Sequence, residues 1–304
     1  MLFAATVFTT LWAGALRAAL SAVEALPPDL RAGLDHPLFF LQLLRHPSAL
    51  LLGVPYALTV IGILGAHELG HFFACRVYRV RCTWPHFIPV PLPQSYGTFG
   101  AFIRIRSPIP SRRALFDIAV AGPLAGFVLC VPALLYGVWT ARLVTLSPDT
   151  PVYVLGDSLL VKGLAFLRWG AIGPTQDFEV GAVFLGAWLG QLATCLNLFP
   201  VGQLDGGHLL YAVSARWHRT LSRWARWGFT GFLSLLALYS TGGFSDAMPW
   251  LLWLLLLFVV GDRHPRVVAW GPLGGLRIGL LVLAIVVFIV TFMPVPVRIL
   301  WPVG

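Results

Sequence analysis

His67 and His71 stand four residues apart in I-L-G-A-H-E-L-G-H-F-F-A-C, residues 63–75, with Glu68 between them. On a helix, residues four apart share a face, so both imidazoles can reach one ion. Glu68 lies about 100° further round. There it is poorly placed to ligate and well placed to reach metal-bound water, which is the H-E-x-x-H logic of zinc hydrolysis. The surroundings are apolar enough for a membrane helix, where ionisable groups are costly and so functional by default. The alternative is a structural polar cluster or a proton relay.

Catalytic zinc takes three protein ligands and keeps one position open. Asp205 is the best candidate for the third ligand. It lies in N-L-F-P-V-G-Q-L-D-G-G-H, residues 197–208, after an apolar run, where Pro200, Gly202, Gly206 and Gly207 can interrupt a helix. An isolated Asp there is expensive unless paired or metal-bound. His208 competes for the same role, although a supporting or packing role suits it better. Asn197 either holds a peptide backbone and steadies an oxyanion, or makes an inter-helix hydrogen bond. One Zn2+ per chain is the expected cofactor.

These residues need membrane elements to position them. The chain has 304 residues, 58 % hydrophobic and 11 % charged, with a mean hydropathy of +0.82. A soluble domain carries about 25 % charge, so the composition describes an all-α polytopic membrane protein. Apolar runs near 2–22, 49–73, 114–140, 180–200, 228–243, 248–261 and 268–293 predict about six to seven transmembrane helices. Residues 206–215 are expected to continue the fourth span. Gly122 and Gly126, four apart in F-D-I-A-V-A-G-P-L-A-G-F, permit close helix contact and are expected to form the helix wall against which the metal helix or the hairpin packs. Asp117 beside them is expected to pair with nearby arginines.

The net charge of +9 comes from arginines grouped between apolar runs. Loops 74–113 and 216–227 hold only basic charge. Loop 23–47 has Glu24, Asp29 and Asp35, and loop 141–179 has Asp149, Asp157, Asp177 and Glu179. The short segment 262–266 has Arg263 and Arg266 against Asp262. One orientation satisfies this pattern, with 74–113, 216–227 and 262–266 on the cytoplasmic side. The basic groups lack the aromatic strand motifs of an RNA-binding module, so no nucleic-acid partner is expected. Cys75, Cys82, Cys130 and Cys195 form no C-x-x-C pair and suggest neither disulfides nor thiolate zinc. The N-terminus has its first basic residue at Arg17, which favours a retained first helix over a cleaved signal.

Loop 74–113 has Pro85, Pro89, Pro91 and Pro93, which exclude a regular helix, and then T-F-G-A-F-I-R-I-R, which partly alternates. Such a segment predicts a short membrane-associated β-hairpin packed near the site. Its edge would receive an unwound substrate, with Gly97 and Gly100 as substrate-positioning residues. The expected divisions are a first transmembrane helix and external loop over 1–48, a catalytic membrane core over 49–215, and C-terminal transmembrane helices over 216–304.

Taken together, H67-E-L-G-H71, G97-T-F-G100, G122-P-L-A-G126 and N197-L-F-P-V-G-Q-L-D205-G resemble the site-2 protease family of intramembrane zinc metalloproteases. The resemblance runs from about residue 50 to 215. It looks nearest to the bacterial branch that is similar to the chloroplast EGY-type proteases. It implies that His67, His71 and Asp205 bind zinc, that Glu68 activates water, and that Asn197 matches the asparagine of the family's second motif. It also implies a core of three helices and a transmembrane protein as substrate. Loop 141–179 is too short for the PDZ domain that some members insert. Selection then falls to the hairpin, that loop or an accessory protein. The expected location is a bacterial inner membrane, with the site near its cytoplasmic side. The rival readings are a metal transporter using the same His and Asp residues, and an inactive scaffold that binds membrane proteins.

Overall fold

A computed structural model describes residues 1–21, 26, 30–31, 39–92, 95–146, 152–173, 175–260 and 267–300. Glu24, Asp29, Asp35, Pro93, Asp149, Asp262, Arg263 and Arg266 lie outside the described residues, and with them part of the loop-charge pattern.

Helices dominate. They are α1 (Leu2–Ser21), α2 (Val54–Val77), α3 (Arg112–Thr140), α4 (Leu159–Trp169), α5 (Ala182–Asn197), α6 (Asp205–Val213), α7 (Ala215–Tyr239), α8 (Phe244–Val260) and α9 (Gly275–Thr291). By length and composition, Leu2–Leu20, Val54–Val77 and Arg112–Thr140 can each cross a membrane. Ala182–Asn197, Phe244–Val259 and Gly275–Thr291 are apolar but shorter. Of the six to seven expected spans, then, three reach full length. The fourth run does not continue through 206–215. Pro200 and Gly202, the latter at φ +56°, break the chain after α5, and α6 starts afresh.

The centre of the bundle is α2 packed between α3 and α5. Ile63 of α2 joins Cys130, Leu134, Phe184 and Trp188 in one buried cluster. α3 begins at Ser111, whose Oγ accepts from the Ala114 N–H at 3.2 Å, a cap worth about 1 kcal/mol. α2 ends where Arg79 takes φ +56°. The Val80 N–H bonds Cys75 O at 2.8 Å and the Arg79 N–H bonds Arg76 O at 3.1 Å, the paired bonds that close a helix C-terminus. Glycine usually fills that left-handed position, and another residue there costs about 1 kcal/mol. Asp117 of α3 accepts from Arg277 Nη2 of α9 at 2.6 Å and from the Tyr78 hydroxyl, so its expected arginine partner comes from the last helix. All four cysteines are free, and Cys75, Cys130 and Cys195 are buried.

The hairpin is present. β1 (His86–Pro89) pairs antiparallel with β2 (Thr98–Phe102), Phe87 opposite Ala101, with a bulge before Pro89. Gly97, before β2, seats the hairpin on α1. Its carbonyl accepts from Thr9 Oγ1 at 2.6 Å. Its φ is +81°, and a Cβ there would lie 2.6 Å from Thr9 O and from Thr10 Cα. Replacing Gly97 with alanine should therefore destabilise the fold by about 2–4 kcal/mol of overpacking and backbone strain, read as a lower melting temperature in detergent. Zinc per folded chain should be unchanged. Loop 141–179 carries its own structure, with β3 (Leu143–Thr145) on β5 (Gln176–Phe178) and α4 between them; β4 (Val152–Leu155) pairs with the C-terminal β6 (Val297–Leu300).

Candidate metal centre

His67, Glu68 and His71 are all buried on α2. A helix packed this deeply can carry imidazoles only where its neighbour has no side chains. α3 supplies that space. A Cβ at Gly122 would lie 2.6 Å from His71 Cδ2 and nearer still to Nε2, and one at Gly126 would lie 3.3 Å from the Cβ of His67. The Gly-x-x-x-Gly of α3 therefore makes room for both histidine rings, which is more specific than general helix contact. Gly70 of α2 answers it, since a Cβ there would meet the Ala121 carbonyl carbon at 2.8 Å.

Asp205 arrives from far along the chain. It opens α6, in the helix's first turn. A Cβ at Gly206 would lie 2.6 Å from Phe199 O, so the start of α6 folds tightly back on the end of α5. That reversal carries Asp205 to the face of α2.

The three side chains converge. His67 Nε2 and His71 Nε2 are 3.1 Å apart, and each is 3.2 Å from Asp205 Oδ2. Tetrahedral zinc with bonds of about 2.0–2.1 Å sets its ligand atoms roughly 3.3 Å apart. The triangle is thus the size of one face of a zinc tetrahedron, and two imidazoles with one carboxylate are a donor set that zinc accepts. His71 Nδ1 lies 2.7 Å from the Ile118 carbonyl. A carbonyl only accepts, so Nδ1 carries the proton and Nε2 presents its lone pair to the triangle.

Glu68 stands outside the triangle, its Oε1 4.0 Å from His67 Nε2. Ile103, just after β2, lines the same cleft as Glu68. Asn197, at the end of α5, has its Nδ2 3.4 Å from His67 Nε2. A cleft of about 230 Å³ joins these groups, walled by Ala101, Phe102 and Ile103 on the hairpin side.

His67, Glu68, His71, Asn197 and Asp205 come together as their spacing suggests. His208 lines the same cleft but stands outside the converging group, which among the described residues consists of His67, His71 and Asp205. Gly97 and Gly100 are elsewhere. Gly97 packs on α1, and Gly100 borders a separate apolar groove between α2 and α5. Spacing does not mark the Ile118 carbonyl that fixes His71. No side-chain pattern signals it, although it follows once α3 is placed against α2.

Residues 55–238 match Peptidase family M50. The chain is 32 % identical over 195 residues to "Probable zinc metalloprotease EGY2, chloroplastic" of Arabidopsis thaliana, covering 64 % of this chain and 33 % of that protein. It is 36 % identical over 171 residues to the protein of the same name from Oryza sativa subsp. indica, covering 56 % and 30 %. With "Probable zinc metalloprotease EGY1, chloroplastic" of Arabidopsis thaliana it shares 34 % over 159 residues, covering 51 % and 28 %. The chain thus spans about a third of the length of these relatives. Their chloroplast names overturn the expectation of a bacterial inner membrane with a cytoplasmic-side site. Arginine placement had suggested only an orientation, and orientation does not identify the membrane.

Proposed function

Because the chain belongs to peptidase family M50, the site-2 protease family, we propose that it is a membrane zinc metallopeptidase that hydrolyses peptide bonds in or near a transmembrane segment of a membrane-bound protein. The observation that carries this reading is the triangle of His67 Nε2, His71 Nε2 and Asp205 Oδ2 with Glu68 at its edge. His67, His71 and Asp205 would hold one Zn2+. When bound, zinc supplies Lewis acidity to a water and to the scissile carbonyl.

The chain's own residues do the rest. Glu68 takes the proton of the attacking water and delivers it to the leaving nitrogen. The water oxygen bonds to the carbonyl carbon, the C–N bond breaks, and the amine leaves with that proton. The hairpin residues Ala101, Phe102 and Ile103 wall the cleft beside Glu68. Asn197 donates towards the carbonyl oxygen as it gains charge. Asn197→Ala should therefore cut the cleavage rate by about 10²–10³ with zinc content unchanged; parallel loss of zinc would make Asn197 a support for His67 instead.

A substrate helix uses all its backbone groups internally and must unwind to be cut. Among the described residues, β2 has a strand partner only in β1. Its cleft-side residues Ala101 and Phe102 offer backbone to an added strand. The lipid bilayer and a transmembrane protein are thus the proposed partners, with an accessory protein for selection and a chloroplast membrane as the location to test. The transporter reading loses support. Asp246 is paired with Arg298 at 2.8 Å and Arg277 with Asp117 at 2.6 Å, so each has a structural partner.

The test is incubation of the purified chain with a panel of single-span membrane proteins in detergent, with products identified by mass spectrometry. Cleavage should stop on chelation and return with zinc. Cleavage that persists in the chelated, zinc-free protein would end the metallopeptidase reading.

A further inference from the structure

At the end of α2, away from the metal centre, a cleft of about 720 Å³ is lined by Arg76, Arg79, Val80, Arg81, Cys82 and Arg106. All four arginines are exposed, and no acid lines the cleft. Their backbones are fixed. Arg76 sits in the last turn of α2. The Arg106 N–H bonds Arg81 O at 2.7 Å, and Cys82 bridges Ile105 beside it. Four like charges are thus held around one concavity.

Arg79 adds a second observation. Among the described residues it is the one non-glycine with positive φ. Glycine is the usual residue at that helix end, so an arginine there keeps a charged side chain at the expense of backbone strain.

The apolar surroundings identify the kind of ligand. Phe73, Val77 and Trp84 are 60 %, 77 % and 66 % exposed. Trp84 stacks on Phe72 at 4.6 Å, and the Arg76 guanidinium lies 4.9 Å from the same ring. Exposed aromatic and aliphatic side chains beside arginines at the end of a membrane-spanning helix match a molecule with an anionic head and apolar tails. We propose that Arg76, Arg79, Arg81 and Arg106 form a site for the phosphate headgroup of an anionic phospholipid, with its acyl chains over Phe73, Val77 and Trp84. This assignment does not depend on proteolysis.

The experiment is native mass spectrometry of the purified full chain in detergent, titrated with dioleoyl phosphatidylglycerol or with dioleoyl phosphatidylcholine. The wild type should hold phosphatidylglycerol in preference to phosphatidylcholine. Arg79→Gly, which relieves the backbone, should stay folded and weaken that binding about fivefold, and Arg81→Gln with Arg106→Gln about 25-fold, at one fivefold step per arginine. Arg219→Gln, on α7, should leave it unchanged. Equal binding of the two lipids, undiminished binding by Arg79→Gly, or an equal loss with Arg219→Gln would overturn the site. Displacement by inorganic phosphate at the lipid's own concentration would mean that the cleft takes a free anion, and would overturn the lipid assignment.

Discussion

Glu68→Gln should keep its zinc and lose its cleavage. Glutamine has nearly the same shape and can fill the same place in the cleft walled by Ala101, Phe102 and Ile103. It contributes no ligand atom to the triangle, because Glu68 Oε1 stands 4.0 Å from His67 Nε2 while the three converging atoms stand 3.1–3.2 Å apart. What the amide cannot do is take and return a proton. General acid–base catalysis by a placed side chain is worth about 10²–10⁴ in rate, or roughly 3–5 kcal/mol of barrier. The cleavage rate of a single-span substrate should fall by that factor, with zinc per chain unchanged by elemental analysis. A mutant that cuts at the wild-type rate would remove Glu68 from the chemistry. One that loses its zinc would make Glu68 part of the metal's support.

Gly122→Ala should empty the metal centre through a methyl group that touches no ligand in the sequence's own neighbourhood. The new Cβ would lie 2.6 Å from His71 Cδ2. The ring cannot simply turn aside, because its Nδ1 is held by the Ile118 carbonyl at 2.7 Å. Moving α2 off would open its close contact with α3, where Gly70 lies almost against the Ala121 backbone. Either His71 leaves the triangle or the two helices part, at about 1–3 kcal/mol of overpacking. Zinc content and cleavage should both drop, cleavage by more than about 100-fold. Gly126→Ala, with its Cβ at 3.3 Å from the His67 Cβ, should have a milder effect. Full zinc occupancy in Gly122→Ala would show that α3 does not set the position of His71.

Much of this centre is legible in the sequence because expensive residues in lipid need a reason. Two histidines at helical spacing on an apolar run imply an ion, and an Asp beside a Pro/Gly-broken helix implies a third ligand. The geometry supplies what spacing cannot. Gly122 and Gly126 read as a wall for the metal helix or the hairpin, and the structure sets them against the two histidines of the metal helix. Gly97 looked like part of a substrate cleft, yet its positive φ and missing Cβ serve its contact with α1. Short-range patterns register that a glycine is needed but not which neighbour needs it. Of the six to seven expected spans, three reach full length among the described residues and three more apolar helices are shorter. Hydropathy alone does not show where Pro200 and Gly202 stop α5, or that the run at 228–243 is the second half of a helix whose first half carries Arg216, Arg219 and Arg223. Loop 141–179, a connector by composition, folds because β3 and β5 find each other across α4, a pairing that local sequence does not encode.

The most direct test of the centre is zinc K-edge X-ray absorption on the purified, zinc-loaded chain and on Asp205→Ala. A site built from His67, His71 and Asp205 predicts a nearest shell of nitrogen and oxygen at about 2.0–2.1 Å with imidazole scattering beyond it. It predicts that Asp205→Ala loses that shell or most of its zinc. A sulfur shell near 2.3 Å, or a spectrum that Asp205→Ala leaves unchanged, would place the zinc elsewhere in the protein and contradict the assignment.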